Sequence, residues 1–90
     1  MQRTVSIIVM GRVQGVFFRQ STREKAVSLG IKGEVRNMPD DTVHIVVTGS
    51  SEKLQELITW CHQGPSRAKV TDVRVEEVED RSFEKFTIER

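Results

Sequence analysis

Hydrophobic and polar residues alternate near the start of the chain, with Val5, Ile7 and Val9 set against Thr4, Ser6 and Ile8, which predicts a half-buried strand. The period then changes. Phe18, Thr22, Ala26 and Leu29 recur at helical spacing, and Gly30 stands where a left-handed C-terminal cap is needed, so a helix is predicted from about Arg19 to Leu29. Gly33-Glu34-Val35-Arg36 alternates again, Asn37-Met38-Pro39-Asp40-Asp41 has turn chemistry, and Val43, Ile45 and Val47 form one face of a further strand. A hairpin follows from that order. Leu54, Leu57, Ile58 and Cys61 lie at i, i+3, i+4 and i+7, predicting a second helix capped by Ser50 or Ser51 and ended by Gly64-Pro65. Val70 to Val78 and Phe83 to Ile88 supply the last strands, split by an acidic turn at Glu79 and Asp80.

Two strand-helix-strand units joined by a hairpin make an α+β split βαβ plan. Both helices are expected on one face of a four- to five-stranded, antiparallel-dominated sheet. Right-handed crossovers are expected to put the end of the first strand beside the end of the third, in the middle of the sheet. Two things stay open: the partner of the fifth strand, and the distance between Arg19 and Asn37.

With 90 residues the chain is expected to form one domain, residues 1–90. A domain of this size buries somewhat over ~60 % of the surface its unfolded chain exposes, enough for one core. Fourteen Lys and Arg against 13 Asp and Glu leave a net charge of +1, which suits neither a nucleic-acid partner nor a polybasic membrane surface. A lone cysteine, Cys61, excludes an internal disulfide. Val5 to Met10 is too short to span a membrane and lacks a signal-peptide cleavage pattern. A soluble, reducing, cytoplasmic setting and a monomer are expected.

The segment Gly11-Arg12-Val13-Gln14-Gly15-Val16-Phe17-Phe18-Arg19 joins the first strand to the first helix. Backbone N–H groups in such a loop, the positive end of the following helix and a guanidinium fork all favour an anion such as phosphate. The wording of this loop resembles the signature of the acylphosphatase family. Ile31-Lys32-Gly33-Glu34-Val35-Arg36-Asn37 is similar to that family's second motif. Gly64-Pro65 with Ala68, Val70 and Val73 fits as well, and Phe86-Thr87-Ile88 resembles its closing strand. The resemblance spans nearly the whole chain in order.

That resemblance implies a ferredoxin-like fold and hydrolysis of a small-molecule acyl phosphate. Phosphate would be bound by the amides of Gln14, Gly15, Val16, Phe17, Phe18 and Arg19 and by the Arg19 guanidinium, and Asn37 would orient the attacking water. It also implies no metal and no cofactor, and a water proton taken by the substrate's own phosphate oxygens. The residues add an argument about the leaving group. The matched motifs hold no histidine or carboxylate where a general acid would be expected. A carboxylate, with a pKa of about 4, departs without one, whereas an alkoxide does not. His44, Cys61 and His62 form no ligand set, since Cys61 and His62 are adjacent and neighbouring helix residues do not face one another.

Plainer readings stand beside these. By residue type alone Arg19 is an exposed arginine, Asn37 a turn residue and Gly15 a tight-turn glycine; the motif assigns all three to the site. Gln14 and Val16 are expected to act through backbone atoms only. Arg12 either attracts anions at the mouth of the site or is simply solvated. Phe17 is expected to wall the pocket, Phe18 to pack on the helix face, Cys61 to be a buried inert thiol, and His44 and His62 to lie on the surface. Arg74, Glu76, Glu77 and Glu79 read as a solvated face. Two positions depart from the family pattern: Glu34, where an aromatic residue is common, and Asp41, where glycine is usual. The rival functions are a carbamoyl-phosphate-directed module and a non-enzymatic domain that senses anions or binds RNA. RNA binding is disfavoured, because the chain has no Tyr, only four Phe and one Trp, and no aromatic RNA-reading motif.

Overall fold

In the computed structural model, which describes residues 2–90, the alternating and helical patterns become β1 (Gln2–Arg12), α1 (Phe18–Ser28), β2 (Lys32–Asn37) and β3 (Val43–Ser50). They are followed by α2 (Ser51–Cys61), β4 (Lys69–Glu77) and β5 (Phe86–Glu89). Val5, Ile7 and Val9 of β1 lie beside Val47, Ile45 and Val43 of β3, and all six are buried against the helices. Each such burial is worth roughly 1.5–3 kcal/mol. Helix α1 adds Phe18, Thr22 and Ala26 to this core, and α2 adds Leu54, Leu57 and Cys61. Thr22 keeps its buried hydroxyl satisfied by donating to the Phe18 carbonyl at 2.7 Å, and the Phe18 ring lies 5.5 Å from that of Trp60. Ser50 is the N-cap of α2, its hydroxyl accepting from the Lys53 amide. Burial pushes the Cys61 thiol up to about 12, consistent with an inert group.

The sheet runs β4-β1-β3-β2-β5. The β1/β3, β1/β4 and β2/β3 pairs are antiparallel, and β5 joins the edge of β2 in parallel, so the sheet is mixed. One expectation needs correction. Because β1 and β3 run antiparallel, with Val9 opposite Val43, the end of β1 lies beside the start of β3. The end of β2 pairs there too, with Asn37 opposite Val43. It is this reversal that carries Asn37 to the loop following β1.

The segment from 78 to 85 passes from one edge strand to the other across the helix-free face. Thr4 Oγ1 lies 2.7 Å from Thr48 Oγ1 and accepts from the Arg81 amide, while Thr48 donates to the Arg81 carbonyl. Glu34 belongs to this side: its carboxylate pairs with Arg36 at 3.1 Å and Arg81 at 3.5 Å, which accounts for a charged residue there. His44 departs from the surface placement expected of it. It is half-buried on the same face, with Nε2 2.8 Å from Ser6 Oγ, whereas His62 is exposed.

Candidate active site

Strand β1 hands the chain to the loop through a bulge. The register against β4 slips between Met10 and Gly11, and at Gly11 (φ 120°) a Cβ would run into the Lys69 carbonyl oxygen. Val13 and Val16 then plunge into the core and anchor the loop at two points, so Val16 contributes more than its backbone. Around Val16, Gly15 and Phe17 take left-handed conformations, φ 72° and 64°. Alternation of hand in successive residues turns their N–H groups to one side, as in anion-binding nests. Among the described residues, no N–H from Gln14 to Gln20 donates to an acceptor in the protein; the first amide that does is that of Ser21, to the Phe17 carbonyl at 3.0 Å. No side chain caps α1, so its positive end faces the loop. Glycine suits position 15, where nothing lies within 4 Å of a Cβ. Phenylalanine at 17 holds its backbone against a cost of about 1–2 kcal/mol.

Arg19 and Asn37 reach one cavity of about 370 Å³ together with Gly15, Phe17 and Phe18. Arg19 Nη1 donates to the Glu89 carbonyl of β5 at 3.1 Å, which fixes the guanidinium while leaving the rest of its donor fork for a ligand. Asn37 Oδ1 is buried and has no hydrogen-bond partner. An acceptor left so costs roughly 1–3 kcal/mol.

Gln14 acts differently from expectation. Its side chain turns to the β2–β3 turn, where Nε2 donates to both the Met38 and Thr42 carbonyls at 2.9 Å. That turn is closed by Met38 N to Thr42 O, and Asp41 takes φ 72° where glycine is easier. Asp40 braces it, its carboxyl held below the usual value by hydrogen bonds from the Thr42 hydroxyl and then the Thr42 amide. Gln14 thus ties the loop to the residues next to Asn37.

Val13, Gln20 and Ile88 complete the cavity wall; the last two, like the Gln14 side chain and the Glu89 carbonyl, went unread in the sequence. Arg12 is exposed and does not line the cavity. A larger cavity, about 460 Å³, lies under the 78–85 segment near Gln2, Lys32 and Phe83, but its Thr48 and Arg81 polar groups are already bonded to each other. The smaller one is lined by Asn37, whose buried Oδ1 has no partner. A ring of free amides, one guanidinium and a carboxamide with an open acceptor can hold a phosphoryl group and a water beside it.

The pattern of the acylphosphatase family matches residues 5–88. An acylphosphatase of Rubrobacter xylanophilus is 53% identical over 75 residues, 83% of this chain and 68% of that protein. The structure of an acylphosphatase from Coxiella burnetii superposes with a TM-score of 0.95 at 34% identity, covering 98% of this chain and 93% of that one. Full-length HypF in a phosphate- and nucleotide-bound form matches with a TM-score of 0.94 at 27% identity, covering 100% of this chain and 12% of that one. Sheet order, helix placement and family pattern agree on a ferredoxin-like hydrolase of acid anhydrides. The chain belongs to the acylphosphatase family, whose members hydrolyse acyl phosphates.

Proposed function

We propose that the backbone amides from Gln14 to Arg19 and the Arg19 guanidinium hold the phosphoryl group of an acyl phosphate, and that Asn37 aligns the attacking water. The observation that carries this reading is that Asn37, whose buried Oδ1 has no partner, lines the cavity Arg19 shares. A water O–H donated to Oδ1 fixes the water's orientation and frees a lone pair for phosphorus. As the new P–O bond forms, the bond from phosphorus to the acyl oxygen breaks, and the carboxylate leaves with the electron pair. A leaving group with a pKa of about 4 needs no general acid. The water's proton passes to a phosphate oxygen, so inorganic phosphate carries it away.

Charge spreads over the equatorial phosphoryl oxygens in the transition state, where preorganised donors are most effective. Among the described residues, Arg19 is the only charged side chain in the cavity wall. Arg19→Ala is expected to lower benzoyl phosphate kcat/KM by about 10³- to 10⁵-fold, in excess chelator, without unfolding the protein. Arg19→Lys recovers little, because an ammonium lacks the planar fork. Turnover by Arg19→Ala within tenfold of the parent overturns the assignment.

The proposal extends to a monomer acting in the cytoplasm as one domain over residues 1–90, without metal, cofactor or nucleic-acid partner. A net charge of +1 and a single buried cysteine support it, and sedimentation velocity tests the monomer. No described helix is long and apolar enough to cross a membrane. Carbamoyl phosphate, which offers the same phosphoryl group to Arg19 and the loop amides, is the second reading. Relative kcat/KM for benzoyl, acetyl and carbamoyl phosphate separates the two.

A further inference from the structure

We propose that Phe17 receives the acyl group and selects flat, apolar acyl phosphates, aromatic ones above all, over small or additionally charged ones. This rests on the reading above, in which Arg19 and the loop amides take the phosphoryl end. Phe17 is 69% exposed, more than the other exposed large hydrophobics, Val27 and Val75, yet it stands in the wall of the cavity that Arg19 and Asn37 share. Its backbone is left-handed at φ 64°, a conformation that glycine, used two residues earlier at Gly15, adopts without strain. The core makes no use of the ring, because Phe18 fills the buried face of α1. A bulky apolar side chain therefore sits both strained and solvated at the mouth of the site, and strain of this kind concentrates where a ligand is gripped.

The rest of the wall points to the same class of ligand. Arg19 is occupied by the phosphoryl group and the Glu89 carbonyl, which leaves the half-buried Ile88 and the uncharged Gln20 as accessible side chains of the wall that Phe17 shares. An acyl group bearing a second carboxylate or phosphate finds no counter-charge there. A planar aryl group finds a face to stack on and apolar surface to cover.

Two non-hydrolysable β-ketophosphonates test this, phenacylphosphonate and acetonylphosphonate, in which a CH₂ replaces the anhydride oxygen. Their Kd values are measured by calorimetry for the parent protein, Phe17→Ala and Phe17→Tyr. The parent is expected to bind the phenacyl compound about five- to tenfold more tightly, as one aromatic contact implies. Phe17→Ala is expected to lose that preference, and Phe17→Tyr, which keeps a ring, to retain it. Equal affinities in the parent, or a preference undiminished in Phe17→Ala, overturn the proposal. Benzoyl phosphate turnover on the same preparations reports on hydrolysis separately: its absence beside ring-dependent discrimination would support the aryl contact and count against the hydrolytic reading.

Discussion

The two ends of the sheet handle their polar groups in opposite ways. Where the 78–85 segment crosses, polar groups are matched: Thr4 with Thr48 and the Arg81 amide, Glu34 with Arg36 and Arg81, and the Gly33 amide with the Lys85 carbonyl. At the loop end the amides from Gln14 to Gln20 have no acceptor, Asn37 Oδ1 has no donor, and Phe17 is held at positive φ. Those features lower stability, and no packing requirement explains them. They make sense as capacity kept for a ligand, which replaces solvation with fixed dipoles at no reorganisation cost. The contrast assigns stability to one end and chemistry to the other.

The largest effect that breaks this contrast is the loss of Arg19 described above, which falls on turnover and leaves the melting temperature nearly unchanged. Next is Gln14→Leu. Without its paired bonds to Met38 and Thr42, the turn carrying Asn37 loosens from the loop, and misplacement of about 1 Å costs up to ~10²-fold in kcat. Stopped-flow turnover beside inorganic-phosphate affinity checks it; an unchanged kcat would separate Gln14 from catalysis. At the opposite end, Thr4→Val removes a fully buried hydroxyl and strands its partners. It is expected to destabilise by roughly 1–3 kcal/mol in urea unfolding, with kcat at 25 °C unaltered. The smallest effect is Asp41→Gly, which relieves a left-handed aspartate and should stabilise by about 0.5–1 kcal/mol in the same titration.

The faces of the strands and of α2 were legible because burial follows a period of 2 or 3.6, and Val5, Ile7, Val9, Leu54 and Leu57 obey it. The cradle was legible because its glycines, amides and Arg19 are contiguous in sequence. Periodicity does not say which strand edges meet or in which sense. The parallel docking of β5 on β2 therefore stayed open, and the end of β1 was set beside the wrong end of β3. Contacts from a side chain to distant backbone carry no sequence signature either. Gln14 reaches carbonyls 24 and 28 residues on, and Arg19 one 70 residues on, only because the sheet order brings those strand ends together. His44 shows the same gap: a polar residue on an alternating strand reads as solvated until another segment covers that face.

The most direct test of the central claim is the kcat of Asn37→Ala with benzoyl phosphate, measured beside the inhibition constant of inorganic phosphate. A kcat lower by about 10²-fold or more with phosphate inhibition unchanged is expected if Asn37 positions the water and Arg19 with the amides holds the phosphoryl group. An unaltered kcat, or a loss of phosphate affinity that matches the loss of turnover, would contradict that division of labour.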